Sequence, residues 1–158
     1  SFIARRLIIS ASEDIGLANP NAMLIAMACA ESLDRIGWPE GRIPLAEATI
    51  YLATSEKSNS AYLAIDSALE YVRQSGNLPV PLHLRNAPTR LMADLDYGKG
   101  YKYSHDFPEH FVSQQYLPDK AADTSFWTPQ MHTVHEAKLG ERMKRWWKRE
   151  KSQKDTAE

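Results

Sequence analysis

The sequence predicts a mainly α-helical fold. Apolar residues recur at helical spacing through residues 1–76, between Gly, Pro and Asn punctuation marks. The same periodicity returns after residue 133. Between them, six of the nine prolines fall in residues 77–131, where neither a long helix nor a central strand can run.

The first helix is expected over residues 1–15, with Ile3, Leu7, Ile8, Ala11 and Ile15 on one face and Gly16 as its stop. In the second, Asn19 caps and Pro20 occupies the first turn, and Met23, Met27, Ala30 and Leu33 recur at helical spacing up to Gly37. "WPEGRIP" reads as a turn. Pro44 then opens a third helix to about Ser55, striped by Leu45, Ala48, Thr49 and Leu52. A fourth is capped by Ser58 or Asn59 and ended by Gly76, and its buried face is expected to carry Tyr62, Ile65, Leu69 and Val72. Four helices on short connectors imply an antiparallel helical assembly.

Residues 77–131 change character. "NLPVPLHL" must be extended, because each proline biases its predecessor away from helix. Only "NAPTRLMADLDYG" reads as a short helix, with Asn86 as cap and Gly98 at its end. Eight aromatic residues from Tyr97 to Trp127 are too many for a disordered linker, so the segment is expected to be ordered and to wrap the helices. At most a short strand pair fits, near 113–117 and 124–128. Thr133 and Glu136 have capping-box spacing and start a helix expected to reach about Lys151. One helical domain over residues 1–151 with a frayed tail at 152–158 is the resulting organisation.

The 158 residues suffice for one domain with a core. No apolar run approaches the ~20 residues of a membrane-spanning helix. The single cysteine, Cys29, cannot form an internal disulfide and fits a reducing cytoplasm. The chain opens in full helical stride without an initiator Met, as a fragment of a longer protein would. Net charge is −1, yet "KLGERMKRWWKREK" at 138–151 carries seven Lys/Arg against two Glu. A cationic end on an acidic body suits a polyanion contact or a contact between subunits.

Chemical motifs fail on spacing. "YGKGYKYSHDF" (97–107) places two glycines around Lys99, but lacks the P-loop spacing, its Ser/Thr and the preceding strand. Lys99, Gly100, Tyr101 and Tyr103 match part of the RNA-binding strand consensus, but Lys102, Ser104 and Asp106 depart from it and the context is helical. His132 and His135 match no zinc pattern and read as solvated. Glu13 and Asp14 are adjacent on a helix and diverge, so they make no acid/base pair. Cys29 reads as a small core residue. No metal, cofactor or catalytic residue is expected in this chain.

Several stretches together resemble one family. "ASEDIGLANP", "YLATSEKSNSAY", "LPVPLHLRNAPTRLM", "YGKGYKYSHDFP" and "QQYLPD" are similar to the C-terminal region of the RarA/MgsA AAA+ ATPases, which include the Werner-helicase-interacting protein. The resemblance covers nearly the whole chain. It implies a helical bundle of the clamp-loader C-terminal type that holds subunits together as a homotetramer. It also implies a full-length, DNA-dependent ATPase using ATP and Mg at stalled replication forks and in recombination. DNA, single-strand-DNA-binding protein and the chain's own AAA+ domain are the implied partners, in the cytoplasm and at the nucleoid. The Walker motifs are absent here, so this fragment is not expected to be an enzyme.

Two sets of residues are candidates for contacts. His83, Leu84, Arg85, Asn86, Tyr97, Lys99, Tyr101 and Tyr103 lie in irregular chain, where packing constrains residue choice less, and are expected to shape a subunit or domain interface. Lys144, Arg145, Lys148 and Arg149 on the last helix are candidates for DNA phosphate, in the alternative reading of an accessory DNA-binding domain.

Overall fold

The computed structural model describes residues 2–154, and the side-chain surroundings of those up to Trp147. It contains six α-helices, α1 Phe2–Ser10, α2 Asn21–Ile36, α3 Arg42–Thr54, α4 Ser60–Ser75, α5 Arg90–Asp94 and α6 Val134–Lys154, joined by short 3-10 turns and irregular chain. Among the described residues there is no strand. The expected frayed tail at 152–158 falls largely outside the described residues. Internal contacts gather in two units, residues 1–69 with 126–142, and residues 70–125 with 143–158.

The first unit is built on α1, α2 and α3. Ala4, Cys29, Leu33, Leu45 and Ala48 form one core cluster, with Leu7, Ile25 and Ala30 packed against it. Ala11, Ile15, Ala22, Ala26 and Leu52 form the other. Burial raises the Cys29 thiol pKa, with Glu47 adding to the shift, so it behaves as a core residue.

The predicted first helix is interrupted. It leaves α geometry at Ser10 and continues as a π-helical turn over Ala11–Ile15 and a 3-10 turn over Gly16–Ala18. Ser10 Oγ donates to Asp14 Oδ2 at 2.6 Å, which engages one of the two adjacent carboxylates locally. Asn19 does cap the next helix: its Oδ1 accepts the Asn21 amide at 3.2 Å. Its amide nitrogen also donates to the Tyr51 hydroxyl at 3.0 Å, tying the start of α2 to α3.

Two helices are turned differently from the expectation. In α2 the buried positions are Ala22, Ala26, Cys29 and Leu33, whereas Met23 and Met27 face outward. In α4 the predicted inner face is corrected outright. Tyr62, Ile65, Leu69 and Val72 are all exposed, and the less exposed positions are Ser60, Ala64, Ala68 and Tyr71. Small residues let a helix backbone approach its neighbours closely, so the small stripe goes inward and the large one stays outside.

Polar contacts of irregular chain tie the second unit together at several points. Tyr71 donates to the Lys120 carbonyl at 3.0 Å. The short helix predicted from Asn86 forms only over Arg90–Asp94, capped by Thr89, whose Oγ1 accepts the Met92 amide at 3.3 Å. Pro88 excludes helix from the residue before it, which moves the start beyond Asn86. The strand pair expected near 113–117 and 124–128 does not form among the described residues; Gln114 instead accepts from the Lys102 amide at 3.2 Å and donates to its carbonyl at 2.8 Å.

Candidate interaction surfaces

The most buried polar group of the first unit is the Glu136 carboxylate, which is 0% exposed. Glu136 lies in the first turn of α6, but it does not close the expected capping box on Thr133. Its Oε1 instead accepts the Gln130 amide at 3.0 Å. Around it, Trp127 Nε1 donates to Ser60 Oγ at 3.0 Å, and the Ser60 amide donates to Ser58 Oγ at 3.3 Å. Oε2 has no partner of full hydrogen-bond geometry, yet the same two serines and the indole act on the carboxyl group. Burial pushes its pKa up most strongly. The Ser58 and Ser60 hydroxyls, the Gln130 amide and Trp127 together outweigh that and leave it below the usual glutamate range.

Neighbouring bonds extend this junction. The Ser58 amide donates to the Asp14 carbonyl at 2.8 Å, Gln130 donates to Asn59 Oδ1 at 2.7 Å, and Val134 N to Glu56 Oε2 at 3.4 Å. The two histidines read as solvated are engaged here. His132 Nε2 lies 3.0 Å from the Lys57 carbonyl and His135 Nδ1 lies 2.9 Å from that of Leu17. Each reaches a backbone oxygen, so the pair serves attachment of α6. Among the described residues no group of three His, Cys, Asp or Glu is arranged to hold a metal.

The eight interface candidates divide. Arg85 Nε donates to the Val80 carbonyl at 2.7 Å and its Nη1 to the Tyr97 hydroxyl at 3.2 Å, with the guanidinium 5.2 Å from the Tyr97 ring centroid. His83 Nε2 lies 2.7 Å from the Gln115 carbonyl, and Leu84 is half-buried in a 3-10 turn. Gly98 has φ +74, and its amide donates to the Leu82 carbonyl at 2.9 Å. A Cβ there would sit 3.3 Å from the Arg85 carbonyl. "YGKGYKY" therefore folds back onto the 82–85 turn, and these residues build the loop. Lys99 is spent on Asp96 at 2.9 Å. Asn86, Tyr101 and Tyr103 are exposed, with the Tyr103 ring 5.1 Å from that of His105.

On α6, Phe111 stacks on Trp146 with ring centroids 5.0 Å apart and meets Trp147 edge-on at 5.5 Å. Lys144 and Arg145 are exposed, and Arg145 pairs with Glu109 at 3.2 Å. The side chains of Lys148 and Arg149 lie outside the described residues.

Sequence reasoning missed the outer faces of the helices in the first unit. Met23 at 49%, Leu24 at 66% and Met27 at 49% stand exposed on α2. Ile43 and Ile50 do so on α3, and Tyr62, Leu63, Ile65 and Leu69 on α4. Monomers rarely display this much large apolar surface. The available signal was size: where two stripes compete on one helix, alanines and cysteine mark the tightly packed side.

An all-α accessory domain with buried polar joints and uncovered apolar helix faces is the class this fold defines. A family model described as the MgsA AAA+ ATPase C terminal matches residues 1–147, and the chain belongs to that family. It is 45% identical to the Replication-associated recombination protein A of Coxiella burnetii over 129 residues, covering 81% of this chain and 29% of that protein. It is 40% identical to the protein of the same name from Escherichia coli K12, over 90% of this chain and 32% of the relative. An uncharacterized AAA domain-containing protein of Mycobacterium tuberculosis is 46% identical over 81% of this chain and 28% of its own length. The chain thus spans about a third of the relatives it matches.

Proposed function

We propose that this chain is the homo-oligomerisation domain, forming tetramers, of a DNA-dependent AAA+ ATPase that acts in replication-fork maintenance and recombination. The family membership and the relatives named for replication-associated recombination support the setting. ATP and Mg belong to the remainder of that longer protein, and single-strand-DNA-binding protein and DNA are its partners.

The observation that carries the association role is the inverted placement of side-chain size on α2 and α4. Packing small residues inward and methionine, leucine, isoleucine and tyrosine outward makes sense when another protein surface covers the large ones. Tyr101 and Tyr103 add exposed aromatic anchors of the type that concentrate interface energy, while Arg85, Tyr97 and His83 hold the loop that presents them. Light scattering after size exclusion, at tens of micromolar, is expected to give four times the 17.9 kDa chain mass. A clean monomer overturns the reading.

The basic end of α6 favours a second role, contact with DNA phosphate through Lys144 and Arg145, with Lys148 and Arg149 adding charge. Affinity of the domain for single- or double-stranded DNA is expected to fall roughly tenfold or more between 50 and 200 mM salt, given counterion release at a few phosphates. Binding that ignores salt excludes it.

A further inference from the structure

We propose that two copies of this chain pair through the outer face of α2, antiparallel across a two-fold axis and crossing near Met27 and Ala28. This rests on the oligomerisation reading and names its surface. Met23, Leu24 and Met27 supply the large apolar side chains, and the exposed Ala28 beside them leaves room for close approach of two helix backbones. A surface groove runs along Leu24, Met27, Ala28, Ala30, Glu31 and Asp34.

Charge along the helix selects the partner and its direction. The outer face is apolar in its first half and carries Glu31, Asp34 and Arg35 in its second, a net charge of one negative. The first turn of α2 has no acidic residue, so the positive end of the helix dipole is uncompensated by charge there. Antiparallel pairing lays the acidic half of each helix beside the positive end of the other. Parallel pairing would set Asp34 beside Asp34 and forgo that attraction, Glu31 being already paired with Arg35 at 2.7 Å. Charge thus favours the antiparallel orientation, in which the face is complementary to itself as an isologous contact requires.

A two-fold axis passing near Ala28 brings that residue close to its own copy, which makes the test direct. Under mild oxidation, Ala28→Cys is expected to give a disulfide-linked dimer. Wild type, whose only thiol is the buried Cys29, should not. Leu24→Glu with Met27→Glu is expected to lower the solution mass to half or less of the wild-type value with helical circular dichroism retained. If wild type is itself a monomer, the oligomerisation reading falls, and this assignment with it. If wild type is oligomeric but Ala28→Cys fails to cross-link and the double variant keeps the full mass, the α2 assignment alone falls. That pattern leaves α2 to some other domain. Should the double variant not fold, the cross-link decides.

Discussion

Glu136→Ala is expected to destabilise the domain by about 3 kcal/mol, because it strips a buried anionic acceptor from the Gln130 amide and leaves a gap beside the hydrogen-bonded Ser58, Ser60 and Trp127. For a chain of this size that corresponds to a melting-temperature drop of roughly 6–12 °C, readable by circular dichroism. Glu136→Gln keeps the shape and one acceptor, so about 1–2 kcal/mol is expected. The pH dependence has a defined sign. The folded pKa is depressed below the ordinary glutamate value, so the carboxylate's contribution is complete above the unfolded value and is lost as pH falls through the folded pKa. The melting-temperature gap between wild type and Glu136→Gln should therefore be constant near neutrality and narrow as pH falls below the ordinary glutamate pKa of about 4.3. A gap that is equal at pH 7 and pH 3 overturns this account of the site.

Gly16→Ala is the other large effect. Gly16 has φ +47 and ψ −126, a conformation that L residues avoid, and a Cβ there would lie 2.9 Å from the Ser58 carbonyl oxygen. Backbone strain and the clash each cost of order 1–2 kcal/mol, so about 3 kcal/mol in total is expected. Gly37→Ala separates the two causes. Gly37 also has a positive φ, +66, but a Cβ there meets nothing within 4 Å, so only the strain of about 1 kcal/mol remains. Equal losses for the two variants would show that the Ser58 approach does not matter. Both large predictions converge on Ser58, whose backbone also anchors to Asp14 and whose hydroxyl serves Glu136.

Local signals carried much of this far. Asn19 caps α2 as its sequence implies, and Gly37 and Gly76 end α2 and α4 with amide bonds to Leu33 and Val72. Pro-rich residues 77–131 contain no long element because proline lacks the donor that a helix or ladder needs. The misses have physical reasons too. Thr133 and Glu136 have the right spacing for a capping box, but a free amide at Gln130 lies within reach of the carboxylate and takes it. Gln114 satisfies the Lys102 backbone from 12 residues away, a pairing that no periodicity encodes.

For the surfaces, the sequence pointed to the "YGKGYKYSHDF" loop and the basic helix. It determined by itself that the chain is helical and where most helices begin and end. Those properties depend on residues a few positions apart. Only the tertiary structure decided which face of α2 and α4 turns inward. Both faces are apolar, so hydrophobic periodicity is ambiguous between them. Close packing breaks the tie in favour of the small residues, and that choice leaves Met23, Leu24 and Met27 at the surface.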